Sequence, residues 1–107
     1  MTAPEENKAI FRHVWESWYK GNLGPIREYY DPGVIDHEAI EGQPPGLEGL
    51  IHHATVFTNA FSDQRWTVEA QVADGDLVVT RWTLRRKHTG DFMGIAPTGK
   101  EVVLTGT

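Results

Sequence analysis

Cysteine is absent from the 107 residues, and with it go disulfide frameworks, thiolate metal sites, iron–sulfur clusters and cysteine nucleophiles. The fold must hold by packing alone. Long apolar runs are missing too: no stretch approaches the roughly 18 residues that a membrane-spanning helix needs. The opening segment, Met1 to Lys8, also lacks the basic-then-apolar order of a secretory signal, so a soluble, cytoplasmic protein is the expectation. Positive charge is scarce. Ten basic against fifteen acidic side chains leave a net charge of −5, which repels phosphate backbones and anionic lipid unless basic residues cluster. The one basic cluster, Arg85-Arg86-Lys87, is split between two faces by strand alternation and has no aromatic interleaving. No nucleic acid and no membrane partner is expected. Internal repeats, low-complexity stretches and interdomain linkers are likewise lacking.

What is present suffices for one small globular domain: 39% hydrophobic residues, with four tryptophans, three tyrosines and four phenylalanines, enough apolar surface to offset ordering entropy. Thr2-Ala3-Pro4-Glu5 reads as a helix start, a hydroxyl cap followed by proline in the first turn. Ile10, Phe11, Val14, Trp15, Trp18 and Tyr19 then recur at three- and four-residue spacing, an amphipathic helix with an aromatic stripe. Gly21-Asn22 stops it. A short second helix runs from Pro25 to Tyr30, and Asp31-Pro32-Gly33 turns the chain. Val34 to His37 is a brief extended candidate, and the proline- and glycine-rich stretch from Glu41 to Gly46 is a loop. From Leu47, residues Leu50, Ile51, Ala54, Phe57 and Phe61 follow the helical period for about four turns, with His52 and His53 mostly off the stripe.

After Ser62-Asp63 the period becomes two. Trp66, Val68, Ala70 and Val72 alternate with polar residues, Ala73 to Asp76 makes a hairpin turn around Gly75, and Leu77 to His88 forms a long second strand. On that strand Val78, Thr80, Trp82, Leu84, Arg86 and His88 share one parity, and its length predicts a bulge or strong curvature. Gly90 to Gly99 is a loop carrying Phe92, and Lys100 to Thr107 begins a third strand. This order predicts an α+β fold in which three N-terminal helices cover one face of a curved antiparallel sheet. No metal site is expected, because the adjacent His52 and His53 point about 100° apart on a helix and no HExxH pattern occurs.

Four segments carry a family resemblance: Val34-Ile35-Asp36-His37, Pro45-Gly46-Leu47-Glu48-Gly49-Leu50, Arg81-Trp82-Thr83, and the run from His88 to Lys100, HTGDFMGIAPTGK. In order and spacing they resemble the SnoaL-like polyketide cyclase family, the last segment being the most specific. The resemblance covers essentially the whole chain. It implies the cone-shaped α+β barrel of the nuclear transport factor 2-like superfamily, and a cofactor-independent intramolecular aldol condensation or isomerisation of a small or polycyclic ketone. It also implies two further strands after Thr107, so a single domain over residues 1–107, C-terminally incomplete, is expected. The cyclases' general acid/base aspartate belongs to that region, and no residue here aligns with it.

The resemblance places His88 at a strand end inside the motif and His37 beside Asp36 as a pocket-facing pair. His88, His37 and Asp36 are therefore the expected catalytic groups, with Asp36 fixing the tautomer of His37. Trp15, Trp18, Tyr19, Phe57, Trp82 and Phe92 are the expected lining for an apolar, flat ligand. Val102 to Thr105 would form an apolar edge needing cover, and pairing in the superfamily commonly uses the sheet, so a homodimer is expected. Against this enzyme reading stands a non-catalytic binding protein for an apolar small molecule, since a fold alone licenses no activity.

Overall fold

A computed structural model describes residues 2–107 as three helices followed by three strands: α1 (Ala3–Tyr19), α2 (Gly24–Tyr29), α3 (Gly46–Ala60), β1 (Phe61–Asp74), β2 (Leu77–His88) and β3 (Glu101–Gly106). The Thr2 hydroxyl accepts from the Glu5 amide at 3.4 Å and opens α1, satisfying one of the donors a helix start leaves free. Its end is a Schellman arrangement. Gly21, at φ +85°, donates to Trp18 O, and Asn22 donates to Ser17 O, both at 2.9 Å, so the last carbonyls are satisfied where only glycine sits without strain. The Asn22 side chain then accepts from Gly24 N at 3.1 Å and starts α2.

The helices meet in a small core of Val14, Trp18, Ile26, Leu50 and Ala54. Burying a side chain of the valine or isoleucine class stabilises by about 1.5–3 kcal/mol, and each helix contributes at least one such residue. α3 passes into β1 without a loop, so Phe61, its C-cap, is also the first strand residue.

The sheet has the order β1-β2-β3, antiparallel throughout. Its register corrects the alternation expected for β1. Shifts fall between Ser62 and Arg65 and between Val68 and Ala70, so Trp66 and Val68 face the helices whereas Ala70 and Val72 are exposed and Gln71 and Ala73 turn inward. A bulge adds one residue and flips every later side chain. β2, where the irregularity was expected, keeps its parity: Thr80, Leu84, Arg86 and His88 are all buried on one face. Nor is Val34 to His37 a strand. The segment is irregular and turns at His37-Glu38, because the Asp36 side chain accepts from the Glu38 amide at 3.0 Å and draws the backbone into a turn. Among the described residues no helix is long and apolar enough to cross a membrane.

Candidate active site

The inner face of the sheet, beneath α1 and α3, carries an aromatic interior. Trp15 stacks on Trp18 at 4.6 Å between centroids, and Trp66 lies 6.2 Å from Trp15 and 6.0 Å from Tyr19. Phe57 of α3, Phe61 of β1 and Phe92 of the loop after β2 form a second group, with Phe92 5.1 Å from Phe57 and 5.5 Å from Phe61. Around the second group stand three polar side chains.

One is His88. It is 6% exposed, its ring 5.3 Å from Phe61. Its Nδ1 lies 3.2 Å from Thr98 Oγ1, while Nε2 is buried with no partner. Thr98 Oγ1 also accepts from the Lys100 amide at 3.3 Å, and its own proton is available to Nδ1. In the tautomer in which Thr98 donates to Nδ1, the ring proton sits on the buried Nε2, where no protein group accepts it. The loop that supplies Thr98 is closed by backbone bonds between His88 and Gly99–Lys100 and anchored by Gly90, which lies so close to the Asn59 carbonyl that any Cβ there would collide.

The second is His53, which the stripe of α3 had set aside. Its Nδ1 is 2.9 Å from Asp36 Oδ2, the same oxygen that accepts from Gln43 Nε2 at 2.9 Å, and its ring is 5.0 Å from Phe57. Burial pushes the Asp36 carboxyl up. Hydrogen bonds from Gln43, the Glu38 amide and His53 together outweigh it, and the pKa lies below the ordinary value. An ionised Asp36 requires the Nδ1–H tautomer of a neutral His53, which leaves Nε2 as the basic nitrogen. This corrects the expected Asp36–His37 pair: His37 is exposed in the turn and the carboxylate is held by His53 instead. Adjacent residues in a turn diverge, whereas α3 carries His53 across to the carboxylate.

The third is Arg86. Its guanidinium lies 3.9 Å from the Phe61 centroid and 5.0 Å from that of Phe57. Burial lowers its pKa, with Tyr19 opposing, but an arginine starts so high that it stays a cation at neutral pH. Burial likewise pushes the Tyr19 hydroxyl up to about 12 against the pull of Arg86, so Tyr19 is a neutral phenol. Arg86 shares the parity of His88, the one sign of its place that the sequence offered.

Of the residues expected to line a pocket, Phe57 and Phe92 join His53 and His88, and Trp18 reaches His53 edge-on at 5.9 Å. Trp15 and Tyr19 belong to the adjoining stack, where Trp15 Nε1 donates to Tyr30 Oη at 3.2 Å. Trp82 stands apart: its ring covers Gly106 of β3, where a Cβ would strike it. A cleft of about 190 Å³ lies away from the histidines, between α1, α2 and the start of β2, lined by Ile10, Phe11, Val14, Tyr29, Tyr30 and Val78. Phe11 joins cleft to stack, 5.4 Å from Trp15. Among the described residues no cluster of three metal-ligating side chains occurs.

No curated protein matches the chain. Solved structures do. IdmH from Streptomyces antibioticus, described as a candidate polyketide cyclase, is 29% identical, with a TM-score of 0.73 over 97% of this chain and 78% of that one. AclR from Streptomyces galilaeus, a candidate hydroxylase, is 24% identical, with a TM-score of 0.79 over 96% and 76%. TsrD from Streptomyces laurentii, at 18% identity, has a TM-score of 0.82 over 98% and 77%. The last two show the shared fold alone. The family model of the SnoaL-like polyketide cyclases matches residues 8–107, which include Asp36, His53, Arg86 and the whole run from His88 to Lys100; this chain belongs to that family.

Proposed function

We propose that the protein catalyses acid/base chemistry on an enolisable ketone, an intramolecular aldol cyclisation or isomerisation, with His53 as base and His88 as donor to the developing oxyanion. The observation that carries this reading is the pairing of opposite roles across one apolar cluster. His53 is held by Asp36 with Nε2 left free to accept, and His88 is held by Thr98 with Nε2 buried and unpartnered, which we read as the N–H donor. A proton passes from the carbon between two carbonyls to His53 Nε2, and Asp36 stabilises the imidazolium. The enolate oxygen takes the His88 Nε2–H bond, the enolate carbon adds to a ketone of the same molecule, and the imidazolium returns the proton to the new alkoxide. A positioned base contributes roughly 10²–10⁴-fold and one oxyanion donor roughly 10²–10³-fold.

Deuterium exchange at the central carbon of β-keto esters in D₂O tests this. Exchange above the buffer rate is expected, falling about a hundredfold in both His53→Gln and His88→Gln. Exchange at the buffer rate, or exchange indifferent to both substitutions, refutes it. The apolar cleft of about 190 Å³ favours a second reading, a carrier of an apolar small molecule, for which quenching of tryptophan fluorescence without exchange is the signature.

A further inference from the structure

The loop between Asp36 and α3 carries one side chain that the proposed chemistry leaves unused, Gln43. Its carboxamide is fixed at both ends: Oε1 accepts from the Ile40 amide at 3.0 Å, and Nε2 donates to Asp36 Oδ2 at 2.9 Å. Neither bond survives a flip, since the Ile40 amide can only donate and an ionised carboxylate can only accept. The backbone holds the same residue in place. Gln43 N donates to Ile40 O at 3.1 Å, closing a turn in which Gly42 takes φ +79°. Gly49 of α3 then leaves a notch for the loop, because a Cβ there would collide with the Pro44 carbonyl and press on Gln43 Cγ. Gly49 stands one helical turn before His53 and on the same face. Notch and histidine together bring Gln43 Nε2 and His53 Nδ1 onto one oxygen, Asp36 Oδ2, 2.9 Å from each. The Asp36 and His53 side chains are 16% and 17% exposed, so water competes little for these bonds.

We propose that Gln43 is a positioning residue: its Nε2–H fixes the Asp36 carboxylate so that Oδ2 meets His53 Nδ1–H and the opposite ring nitrogen, Nε2, stays free to accept. Without it the carboxylate is tied to its own loop only through Oδ1, which accepts from the Glu38 amide, and Oδ2 can swing about that bond. The tautomer of His53 follows the place of Oδ2, because the hydrogen bond at one ring nitrogen decides which nitrogen carries the proton. Gln43 touches no reacting atom and acts through Asp36. The inference deepens the acid/base reading and takes from it the role of His53, but the orientation it asserts is readable without turnover.

Imidazole nitrogen NMR of the full chain at about pH 8.5, above the ordinary histidine range, reads the tautomer. Wild type is expected to show a protonated Nδ1 and a bare Nε2 at His53, its signals assigned by their loss in His53→Gln. Gln43→Met, of similar length but without a donor, is expected to lose that preference. Gln43→Glu is the sharper variant, since it keeps an acceptor for the Ile40 amide at every pH but donates to Asp36 only while protonated. Two carboxyls in contact resist double ionisation, so the variant holds that proton above the ordinary glutamate range and releases it on the way to alkaline pH. Tyr30 also feels the Asp36 charge, but burial pushes its hydroxyl up and it stays neutral; His37, Glu38 and Glu41 are exposed. In the β-keto ester exchange assay, Gln43→Glu is expected near the wild-type rate at about pH 5.5 and below about a tenth of it at about pH 8.5, with Gln43→Met about tenfold slower at both. A role confined to pinning the loop predicts a Gln43→Glu ratio that is flat with pH. That flat ratio overturns the proposal, as does a His53 tautomer unchanged at about pH 8.5 in both variants. Should Gln43→Met not fold, Gln43→Glu decides alone. Wild-type exchange at the buffer rate would refute the acid/base reading and leave the tautomer measurement to decide this one.

Discussion

Asp36 is the residue on which the site's charge arrangement turns. Three donors converge on its carboxylate, from Gln43, the Glu38 amide and His53, and hold its pKa below the unfolded value in spite of burial. The sign follows from that direction: a depressed folded pKa contributes stability that is complete above the unfolded range, about pH 4, and is lost as pH falls through the folded value. Asp36→Asn should therefore be less stable than wild type by about 1–3 kcal/mol near neutrality. The difference should shrink below about pH 4, read from urea unfolding across a pH series. A gap unchanged at low pH would show that the carboxylate's charge plays no part. His53 was within reach of sequence reading: it sits four residues before Phe57 and three after Leu50, at the margin of the buried stripe. What periodicity could not supply was its partner, seventeen residues away and brought close only by the turn at Asp36.

At the scale of elements, the loop after β2 depends on backbone contact rather than on its side chains alone. Gly90 touches the end of α3, its amide and that of Thr89 both donating to Ala60 O, and a Cβ at Gly90 would meet the Asn59 carbonyl and Ala60 Cα. Gly90→Ala is expected to cost about 1–3 kcal/mol as an overpacking change and to loosen the Thr98–His88 contact that the same loop provides. Gly75→Ala is the control. Gly75 has φ +57° but open space around it, so only the left-handed backbone penalty of about 1–2 kcal/mol applies. Thermal unfolding should rank Gly90→Ala as the more damaging, and the imidazole NMR signals of His88 should shift only there. The reverse order would mean that the loop is not anchored through this approach. Helix α1, its cap and its glycine stop were legible from local chemistry. The bulge in β1 was not, because an added residue leaves no mark on composition and declares itself only in the register against β2.

At the scale of the whole molecule, the helices lie over β1 and the near part of β2, and β3 extends beyond them. Val103 is 50% exposed and Leu104 37%, and among the described residues β3 pairs with β2 alone, on one of its two edges. An edge left unpaired recruits another strand. We expect the protein to self-associate through β3, and Val103→Lys, a charge of the kind that blunts natural edges, to shift it toward the 12.0 kDa monomer. Sedimentation velocity over a concentration series checks this, and a monomer at every concentration would exclude it.

By itself the sequence determined what is local. Caps, stops and apolar periods set three helices and three strands, the absence of cysteine left packing as the only cement, and the run from His88 to Lys100 carried the family. Tertiary structure decided what depends on distance through space: that Asp36 meets His53 and not His37, that Arg86 lies buried against phenylalanine faces without a carboxylate, and that Trp82 covers a glycine instead of joining the aromatic interior. The reason is one of range. Helical and strand periods place a side chain on a face, but the partner it finds there comes from another element, whose approach is set by bulges, turns and packing that no single segment encodes.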